Sequence, residues 1–368
     1  MIAEMKFDLE TVVIEESCRT SALATRIMSG IPRSVGVRFV SDGRLAVRSP
    51  IAEYDAIGSA KRRMVILPRR GSFLMGCPAS STRFACCGYL VLVLASNCPM
   101  DCSYCFLQEH LANNPAFQVY ANYHQALDEL ERLVRDNSGR NLRIGTGELA
   151  DSLAFDSLTR ISSDFINYFS KHQNLLLELK TKTDEIDHLL TLDCRGRTMV
   201  SWSLSPRRVF ATSEHYTAPP QSRIKAAQRV LDAGYKVGFH LDPVITYPGA
   251  EHDYLELLED VFDALAPQSI AFFSIGGLRM TPGLRAAARR RFPADKMLLG
   301  EDVLGADGRY RTFTPLRLRL FSKLRERLAK ACPDLPVYLC METASAHRSV
   351  FGAAPLTPAA LGSRLAGC

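Results

Sequence analysis

Three cysteines lie within eight residues of one another in the stretch N-C-P-M-D-C-S-Y-C-F-L-Q, which starts at residue 97. They are Cys98, Cys102 and Cys105. Cysteine thiolates normally hold all the irons of a [4Fe–4S] cluster. Three thiolates leave one iron open, and an open position can hold a substrate or cofactor, as a catalytic metal site requires. The triplet therefore predicts a catalytic iron–sulfur centre.

A zinc site is the alternative for this triplet, because structural zinc takes four ligands. The fourth ligand would be His110, five residues beyond Cys105, or one of the adjacent pair Cys86 and Cys87. However, the C-x3-C-x2-C spacing has no second C-x2-C pair elsewhere in the chain. A zinc-stabilised nucleic-acid-binding module without catalysis is the competing hypothesis at this point.

The composition is that of a soluble globular protein, with 368 residues of which 47% are hydrophobic and 23% charged. No apolar run approaches the roughly 20 residues needed to cross a bilayer, which argues against a membrane protein. The stretch MIAEMKFDLE lacks the apolar core of a secretory signal. These features predict a cytoplasmic protein, whose thiols stay reduced. The eleven cysteines, an odd number, are then a poor fit to a disulfide framework.

The net charge of +6 weakly favours an anionic partner. Two segments concentrate the positive charge: LRAAARRRF, which holds Arg285 and residues 289–291, and the run from Arg309 to Lys330. Such runs are most often the solvated faces of amphipathic helices. A nucleic-acid footprint would need the same charges to line one groove.

The elements that must position the cysteines alternate between strand and helix. The apolar run at residues 88–95 predicts a buried strand that leads directly into the cysteine loop, and a helix is expected to begin near Ser103. Further strands are predicted at NLRIGTGE, NLLLELKT, TMVSWSLS, KVGFHLDPVI, SIAFFSIGG and VYLCME, with helical segments between them that include DEIDHLL. Alternating strands and helices predict a parallel sheet built of βαβ units.

About six such repeats are present, which predicts an α/β fold. We expect a partial (β/α)6 TIM-type barrel over residues 86–345, with an irregular N-terminal extension over residues 1–85 and a tail over residues 346–368. In barrels and open parallel sheets, ligands bind at the carboxyl ends of the strands. The cysteines follow the first strand, so they lie at that end.

The arrangement C-x3-C-x-Y-C directly after a first strand resembles the radical S-adenosylmethionine enzymes, whose open iron chelates the amino and carboxylate groups of that cofactor. Three segments narrow the resemblance: C-S-Y-C-F-L-Q at residues 102–108, T-K-x-x-x-x-D-H-L-L at 181–190 and A-G-Y-K-V-G-F at 233–239. Together they are similar to the spore photoproduct lyase family, and the C-C-G-Y entry at residues 86–89 fits it as well. The resemblance covers residues 86–342.

This resemblance implies a [4Fe–4S] cluster and S-adenosylmethionine as cofactors, and DNA with a thymine lesion as substrate. In the family's reaction, the reduced cluster passes one electron to the sulfonium and releases a 5′-deoxyadenosyl radical. That radical takes a hydrogen atom from C6 of a methylene-bridged thymine dimer, the bridge breaks, and a hydrogen atom is returned. An electron donor such as a flavodoxin or ferredoxin is also implied.

The resemblance further implies cofactor-binding residues. They are Tyr104 beside the adenine, Glu148 and Asp151 at the amino group, Lys182 and Ser203 at the carboxylate, and Asp242 as a further candidate. A carboxylate suits an ammonium partner at short range. Each has a structural alternative: packing for Tyr104, a helix N-cap for Glu148, a surface ion pair for Lys182 and a strand hydroxyl for Ser203.

Two departures concern the return of the hydrogen atom. Members of the family place a hydrogen-donating cysteine just after the second strand, where this chain reads GTGEL. The tyrosine expected after the third cluster cysteine is Phe106, which has no hydroxyl hydrogen. Cys340 in VYLCME is the predicted substitute donor, with burial as a small apolar residue as its alternative. Cys86 and Cys87 precede the first strand and are less well placed.

DNA contact is predicted at Tyr310 and Arg311 in GRYRTF, where the family uses a hairpin near the C-terminus. An aromatic ring stacks on bases and a guanidinium binds phosphate.

The missing donor leaves a second function open. This is a radical enzyme of the same fold that acts on a small molecule, a peptide or another nucleic-acid modification.

Overall fold

The computed structural model describes residues 7–47, 55–77, 83–305 and 307–367. The strands are β1 Thr11–Glu15, β2 Gly36–Val40, β3 Arg63–Leu67, β4 Leu74–Gly76, β5 Leu90–Leu92, β6 Ala95–Ser96, β7 Asp101–Cys102, β8 Phe117–Tyr120, β9 Leu142–Gly145, β10 Leu175–Thr181, β11 Thr198–Ser203, β12 Glu214–His215, β13 Lys236–Val244, β14 Ile270–Gly277, β15 Arg279–Met280, β16 Asp302–Leu304, β17 Tyr310–Thr312 and β18 Val337–Leu339. The first six of the ten residues MIAEMKFDLE, on which the prediction of no secretory signal rested, lie outside the described ranges, as does Cys368.

The α-helices are α1 Ala22–Gly30, α2 Gly43–Ala46, α3 Ala56–Lys61, α4 Leu107–His110, α5 Gln125–Asp136, α6 Asp156–Thr159, α7 Ile161–Phe169, α8 Arg207–Ser213, α9 Pro220–Asp232, α10 Ala250–Ala264, α11 Pro282–Arg291, α12 Thr314–Ala331, α13 Ala344–Phe351 and α14 Pro358–Gly367. Among the described residues, none of these helices combines the length and the apolar character needed to span a bilayer.

The largest sheet is the predicted partial barrel. Its strand order is β18-β14-β13-β11-β10-β9-β5-β4, and every neighbouring pair is parallel except β4 with β5. The central strands β11 and β14 are buried along their whole length, and β10 and β13 along most of theirs, because helices cover one face and the barrel interior covers the other. The prediction of a curled α/β sheet is confirmed, and β18 is the last strand that VYLCME predicted.

The barrel interior is filled by a paired polar network. The Glu178 carboxylate, fully buried, accepts hydrogen bonds from Arg143 Nε at 2.5 Å, Ser201 Oγ at 2.6 Å and His240 Nε2 at 2.8 Å. At the amino ends of the strands, α14 adds Leu361 and Leu365 to an apolar cluster. The barrel is therefore closed at its amino end, and its accessible space lies at the carboxyl end.

The N-terminal region is more regular than predicted. A second sheet has the order β2-β1-β3-β8-β6, with parallel pairing of β2, β1, β3 and β8. The strands β6 and β8 come after residue 85, so the predicted boundary at that position runs through one sheet. The strands β1 and β3 are short, apolar and largely buried, and their five residues each gave too little periodicity to be recognised in the sequence.

Three local predictions differ from the structure. The apolar run at residues 88–95 is divided between β5 and β6, which belong to different sheets. The helix expected near Ser103 begins at Leu107. The segment DEIDHLL forms turns, because the hydroxyls of Thr181 and Thr183 accept the backbone N–H groups of Thr183 and Glu185 and so replace the bonds of a helix start.

Candidate active site

The cysteine loop is held at the carboxyl end of the first barrel strand by backbone pairing. Asn97 opens it with a positive φ of 67°, and its Oδ1 accepts the Cys98 N–H at 2.8 Å. The two-residue strand β7 pairs antiparallel with β12, which places Cys102 opposite Glu214. The Ser103 N–H adds a bond to the Ser213 carbonyl at 2.8 Å. The loop is thus fixed against the crossover that follows β11.

A cavity of about 530 Å³ opens beside this loop. It is lined by all of the residues predicted for the cluster and the cofactor: Cys98, Cys102, Cys105, Tyr104, Glu148, Asp151, Lys182, Ser203 and Asp242. They lie at or after the carboxyl ends of successive strands, and these ends meet at one edge of the barrel because the strands are parallel.

The three thiols fit an iron–sulfur cluster better than a single ion. Burial raises the pKa of Cys102 to about 12, and the pKa of Cys98 is also raised by burial. Uncompensated thiolates would therefore not persist here, whereas a bound cationic group would stabilise them. Among the described residues, the three sulfur atoms are not all within 4.8 Å of one another. A tetrahedral zinc site, with Zn–S bonds of about 2.3 Å, needs closer spacing.

The residues weighed as a fourth zinc ligand do not complete such a site. Neither Cys86 nor Cys87, both within the described ranges, lines the cavity. Cys87 packs against the apolar cluster at the amino ends of the strands. His110 ends α4 and lines the cavity, but among the described residues it belongs to no group of three ligand atoms within 4.8 Å of one another.

The two carboxylates of the GTGELAD turn have different surroundings. Asp151 accepts the N–H groups of Leu153, Ala154 and Lys182 at 2.8–3.0 Å and the Thr181 hydroxyl at 2.7 Å. Burial raises its pKa despite these bonds. Asp151 therefore shapes the turn. The next helix, α6, has Phe155 at its N-cap without a side-chain cap, so the N-cap alternative for Glu148 is wrong. The carboxylate of Glu148 is 19% exposed and lies 4.0 Å from Lys180 Nζ, so it is the more available partner for an ammonium group.

The glycines of this turn are required by close packing. A Cβ atom on Gly145 would lie 1.7 Å from the Tyr89 hydroxyl. On Gly147 it would lie 2.6 Å from Lys180 Cβ and 2.8 Å from the Lys180 carbonyl oxygen. The backbone of the turn therefore approaches β10 directly, which leaves cavity space where a side chain would otherwise stand.

Tyr104 and Lys182 belong to one buried ionic network. The Lys182 ammonium donates to the Tyr104 hydroxyl at 2.6 Å and to Glu214 Oε1 at 2.5 Å. The Tyr104 hydroxyl donates to the same carboxylate, and Arg223 Nη2 binds its other oxygen at 2.6 Å. Lys182 is thus not a surface ion pair, and its charge is already balanced by a protein carboxylate.

Three side chains that the sequence analysis did not assign to the site line the same cavity as the cysteines. Arg279 Nη2 binds both oxygens of Asp242 at 3.0 and 3.1 Å. Lys180 also faces the cavity, and no acceptor in the described part of the chain lies within hydrogen-bond distance of its Nζ. Arg309 is the third. Alternation in NLLLELKTK could have found Lys180, because it shares a strand face with Lys182.

Cys340 lies next to this wall, after β18. Its carbonyl oxygen accepts a long hydrogen bond of 3.5 Å from Arg279 Nη1, and its neighbour Met341 lines the cavity. Burial raises the pKa of the Cys340 thiol well above its usual range, and Asp242 raises it further. The thiol therefore keeps its hydrogen at neutral pH.

The two residues predicted to contact DNA are placed differently. Tyr310 is half-buried in the hairpin of β16 and β17, with the Arg285 guanidinium 4.4 Å from its ring centre. Arg311 is buried and binds Asp307 at 2.6 Å. Its charge supports the hairpin, so its placement does not favour a phosphate contact.

The sequence profile described as spore photoproduct lyase matches residues 56–312. This chain belongs to the spore photoproduct lyase family. It is 28% identical over 211 residues to the spore photoproduct lyase of Bacillus subtilis strain 168, an alignment that covers 56% of this chain and 61% of that protein. The chain thus matches less than two thirds of the length of the Bacillus protein. With the Clostridium acetobutylicum spore photoproduct lyase, identity is 24% over 269 residues, 73% of this chain and 78% of that one.

Solved structures of spore photoproduct lyases have the same fold. One, complexed with dinucleoside spore photoproduct, superposes with a TM-score of 0.80 at 22% identity and covers 91% of this chain and 100% of that chain. A variant with bound AdoMet and dinucleoside spore photoproduct gives a TM-score of 0.81. The fold of this family member is therefore the curled half-barrel of spore photoproduct lyases.

Proposed function

We propose that this chain is a radical S-adenosylmethionine enzyme that repairs the spore photoproduct, a methylene-bridged thymine dimer, in cytoplasmic DNA. The observation that carries the proposal is the cavity of about 530 Å³ at which the thiols of the cysteine loop meet the residues implied for the cofactor. Membership of the spore photoproduct lyase family supports the carbon–carbon lyase reaction.

The loop cysteines would hold a [4Fe–4S] cluster, and Glu148 would bind the amino group of S-adenosylmethionine, with Ser203 near its carboxylate. When bound, the reduced cluster and S-adenosylmethionine supply the 5′-deoxyadenosyl radical that removes a hydrogen atom from the lesion. Tyr104 would lie beside the adenine, with its ring orientation fixed by Glu214 and Lys182. A flavodoxin or ferredoxin would be the electron donor.

Cys340 would return the hydrogen atom to the product. Hydrogen-atom donation needs the S–H form, and burial with the nearby Asp242 carboxylate raises the pKa of this thiol and so keeps that form. Cys340 does not itself line the cavity, but the proposal is supported by its neighbour Met341, which does, and by the bond of its carbonyl oxygen to Arg279.

Lys180 would contact the lesion. Burial disfavours its charge, but Glu148 and Asp242 outweigh that effect and raise its pKa, so the ammonium group stays protonated. A cation in a cavity with no hydrogen-bond acceptor of its own favours a carbonyl or phosphate oxygen of a ligand. Both occur in a thymine dinucleotide.

A second candidate is a radical enzyme of the same fold with another substrate. The charged wall of Lys180, Asp242 and Arg279 and the lack of a cysteine in the GTGEL turn favour it. Such an enzyme would still cleave S-adenosylmethionine. The two candidates therefore differ only in the substrate from which the radical takes a hydrogen atom.

The test uses anaerobically reconstituted, dithionite-reduced protein with S-adenosylmethionine and a dinucleotide that carries the spore photoproduct. Restored thymine dinucleotide and 5′-deoxyadenosine are quantified together. Lesion repair predicts both products. 5′-Deoxyadenosine without restored thymine would point to the second candidate, and a colourless, oxygen-stable zinc protein would overturn both.

A further inference from the structure

A lysine from the N-terminal region reaches the backbone of the cysteine loop. Lys61 is the last residue of α3, and only 5% of its side chain is exposed. Its Nζ donates to the carbonyl oxygen of Cys98 at 2.9 Å and to that of Met100 at 2.6 Å. It also lies 3.6 Å from Asp101 Oδ1. One buried ammonium group therefore fixes the first half of the loop.

Gln108 fixes the second half. Its Nε2 donates to the carbonyl oxygens of Ser103 at 2.8 Å, Cys102 at 3.2 Å and Cys105 at 3.3 Å. Its Oε1 accepts Arg291 Nη1 at 2.6 Å. Together with Lys61, this amide accounts for the carbonyl oxygen of every cysteine in the triplet.

The helix α3 is tied to the loop at both of its ends. Asp55 caps its first turn by accepting the Gly58 N–H at 3.0 Å, and it binds Arg291 Nε at 2.7 Å. Arg291 in turn binds Asp101 Oδ2 at 2.7 Å. The cations Lys61 and Arg291 thus balance the charges of two carboxylates, those of Asp55 and Asp101. Loss of the Lys61 charge would leave an excess of negative charge behind the loop.

We propose that Lys61 is a positioning residue for the iron–sulfur cluster. It holds the cysteine loop in the shape that binds the cluster, and its charge favours the reduced state of the cluster. Reduction adds one negative charge to the cluster, and a nearby buried cation stabilises that charge because screening inside the protein is weak. Net charge and hydrogen bonding around a cluster are known to set its reduction potential. The inference rests on the proposed function only for the presence of a cluster.

The test compares three variants. Lys61→Met removes the charge and the hydrogen bonds, Lys61→Gln removes the charge but keeps a hydrogen-bond donor, and Lys61→Arg keeps the charge. Lys225→Met, at an exposed site on α9, is the matched control. Reconstituted proteins are titrated by potentiometry with EPR detection, and iron loss to a chelator is timed. No DNA is present, so a failure of lesion repair cannot be confused with a failure of this proposal.

We expect the cluster of Lys61→Met to lose iron at least tenfold faster than wild type, and the cluster that remains to be reduced at a more negative potential. Lys61→Gln should show the same direction of potential shift, and Lys61→Arg should lie near wild type. An unchanged potential in both neutral variants would overturn the proposal, even if cluster content fell, because a purely structural role predicts that result. Far-ultraviolet circular dichroism of the cluster-free proteins identifies any variant that fails to fold.

Discussion

Lys182 and Glu214 form an ion pair beside the cysteine loop, with Nζ 2.5 Å from Oε1. Glu214 is fully buried, and Arg223 holds its second oxygen at 2.6 Å. The hydroxyl of Tyr104 also donates to this carboxylate. One carboxylate therefore connects four side chains: the loop aromatic, the lysine after β10, an arginine of α9 and Ser205, whose hydroxyl donates at 2.8 Å. Its removal should affect both folding and the placement of Tyr104.

Glu214→Gln should lower the free energy of unfolding of the cluster-free protein by about 3 kcal/mol, because it leaves buried cations without a counter-charge. Urea denaturation measures the change. Glu259→Gln is the control, since Glu259 pairs with Arg327 on the surface and should contribute less than about 1 kcal/mol. Equal effects of the two substitutions would contradict the role given to Glu214.

The stability of the cluster-free protein should fall with acid in a way that depends on Glu214. Burial opposes its ionisation, but Arg223 and Lys182 outweigh that effect and hold its pKa well below the usual range. The unfolded chain, with a glutamate pKa of about 4.3, therefore takes up a proton that the folded chain does not. The stabilisation is complete above that pH and is lost as pH falls below it. Urea unfolding between pH 6 and 3 should show a smaller loss in Glu214→Gln.

Gly147→Ala should weaken S-adenosylmethionine binding by at least tenfold, because the new Cβ atom would meet the backbone of Lys180 at 2.8 Å and displace the turn. Equilibrium dialysis with labelled cofactor measures the affinity. Gly71→Ala is the matched control, since a Cβ atom there meets nothing within 4 Å. Wild-type affinity in Gly147→Ala would mean that the turn does not contact the cofactor.

Glu148→Gln and Asp151→Asn should separate binding from folding. Glu148 has space for an external ammonium group, so the Glu148→Gln protein should bind the cofactor about tenfold more weakly, with little change in its free energy of unfolding. Asp151 is occupied by four donors of its own chain, so its amide should lower the free energy of unfolding. Dialysis and urea denaturation on both variants are required. Weaker cofactor binding in Asp151→Asn and lower stability in Glu148→Gln would contradict these assignments.

Cys340→Ala should retain 5′-deoxyadenosine formation and lose most of the restored thymine, because the radical is formed but no hydrogen atom returns to the product. Products are separated by chromatography after anaerobic turnover. Cys332→Ala, a half-buried cysteine outside every motif, is the control and should repair like wild type. Normal yield in Cys340→Ala would show that another group donates the hydrogen atom.

Much of the site could be predicted from the sequence because its chemistry is local. Cys98, Cys102 and Cys105 share one loop, and the candidate cofactor residues follow predicted strands. Glu148 and Ser203 were implied by the family resemblance at the ends of two strands, and they line the same cavity because parallel strands bring their carboxyl ends to one edge.

The remaining contacts could not be predicted because they join distant segments. Lys61 and Cys98 are 37 positions apart, and the first belongs to a region that showed no clear periodicity. Lys182 was predicted at the cofactor carboxylate, with a surface ion pair as the alternative, because nothing in the sequence indicated that Glu214 would be buried against it. Arg311 was predicted to bind phosphate because the sequence did not indicate its ion pair with Asp307, which the hairpin forms.

The most direct test of lesion repair follows a deuterium label. A spore photoproduct dinucleotide deuterated at the C6 hydrogen that is abstracted is incubated anaerobically with reduced, reconstituted protein and S-adenosylmethionine, and the 5′-deoxyadenosine is analysed by mass spectrometry. Repair by this protein predicts deuterium in the 5′-deoxyadenosine together with restored thymine dinucleotide. Unlabelled 5′-deoxyadenosine with intact lesion would contradict the account, because the radical would then act on something else.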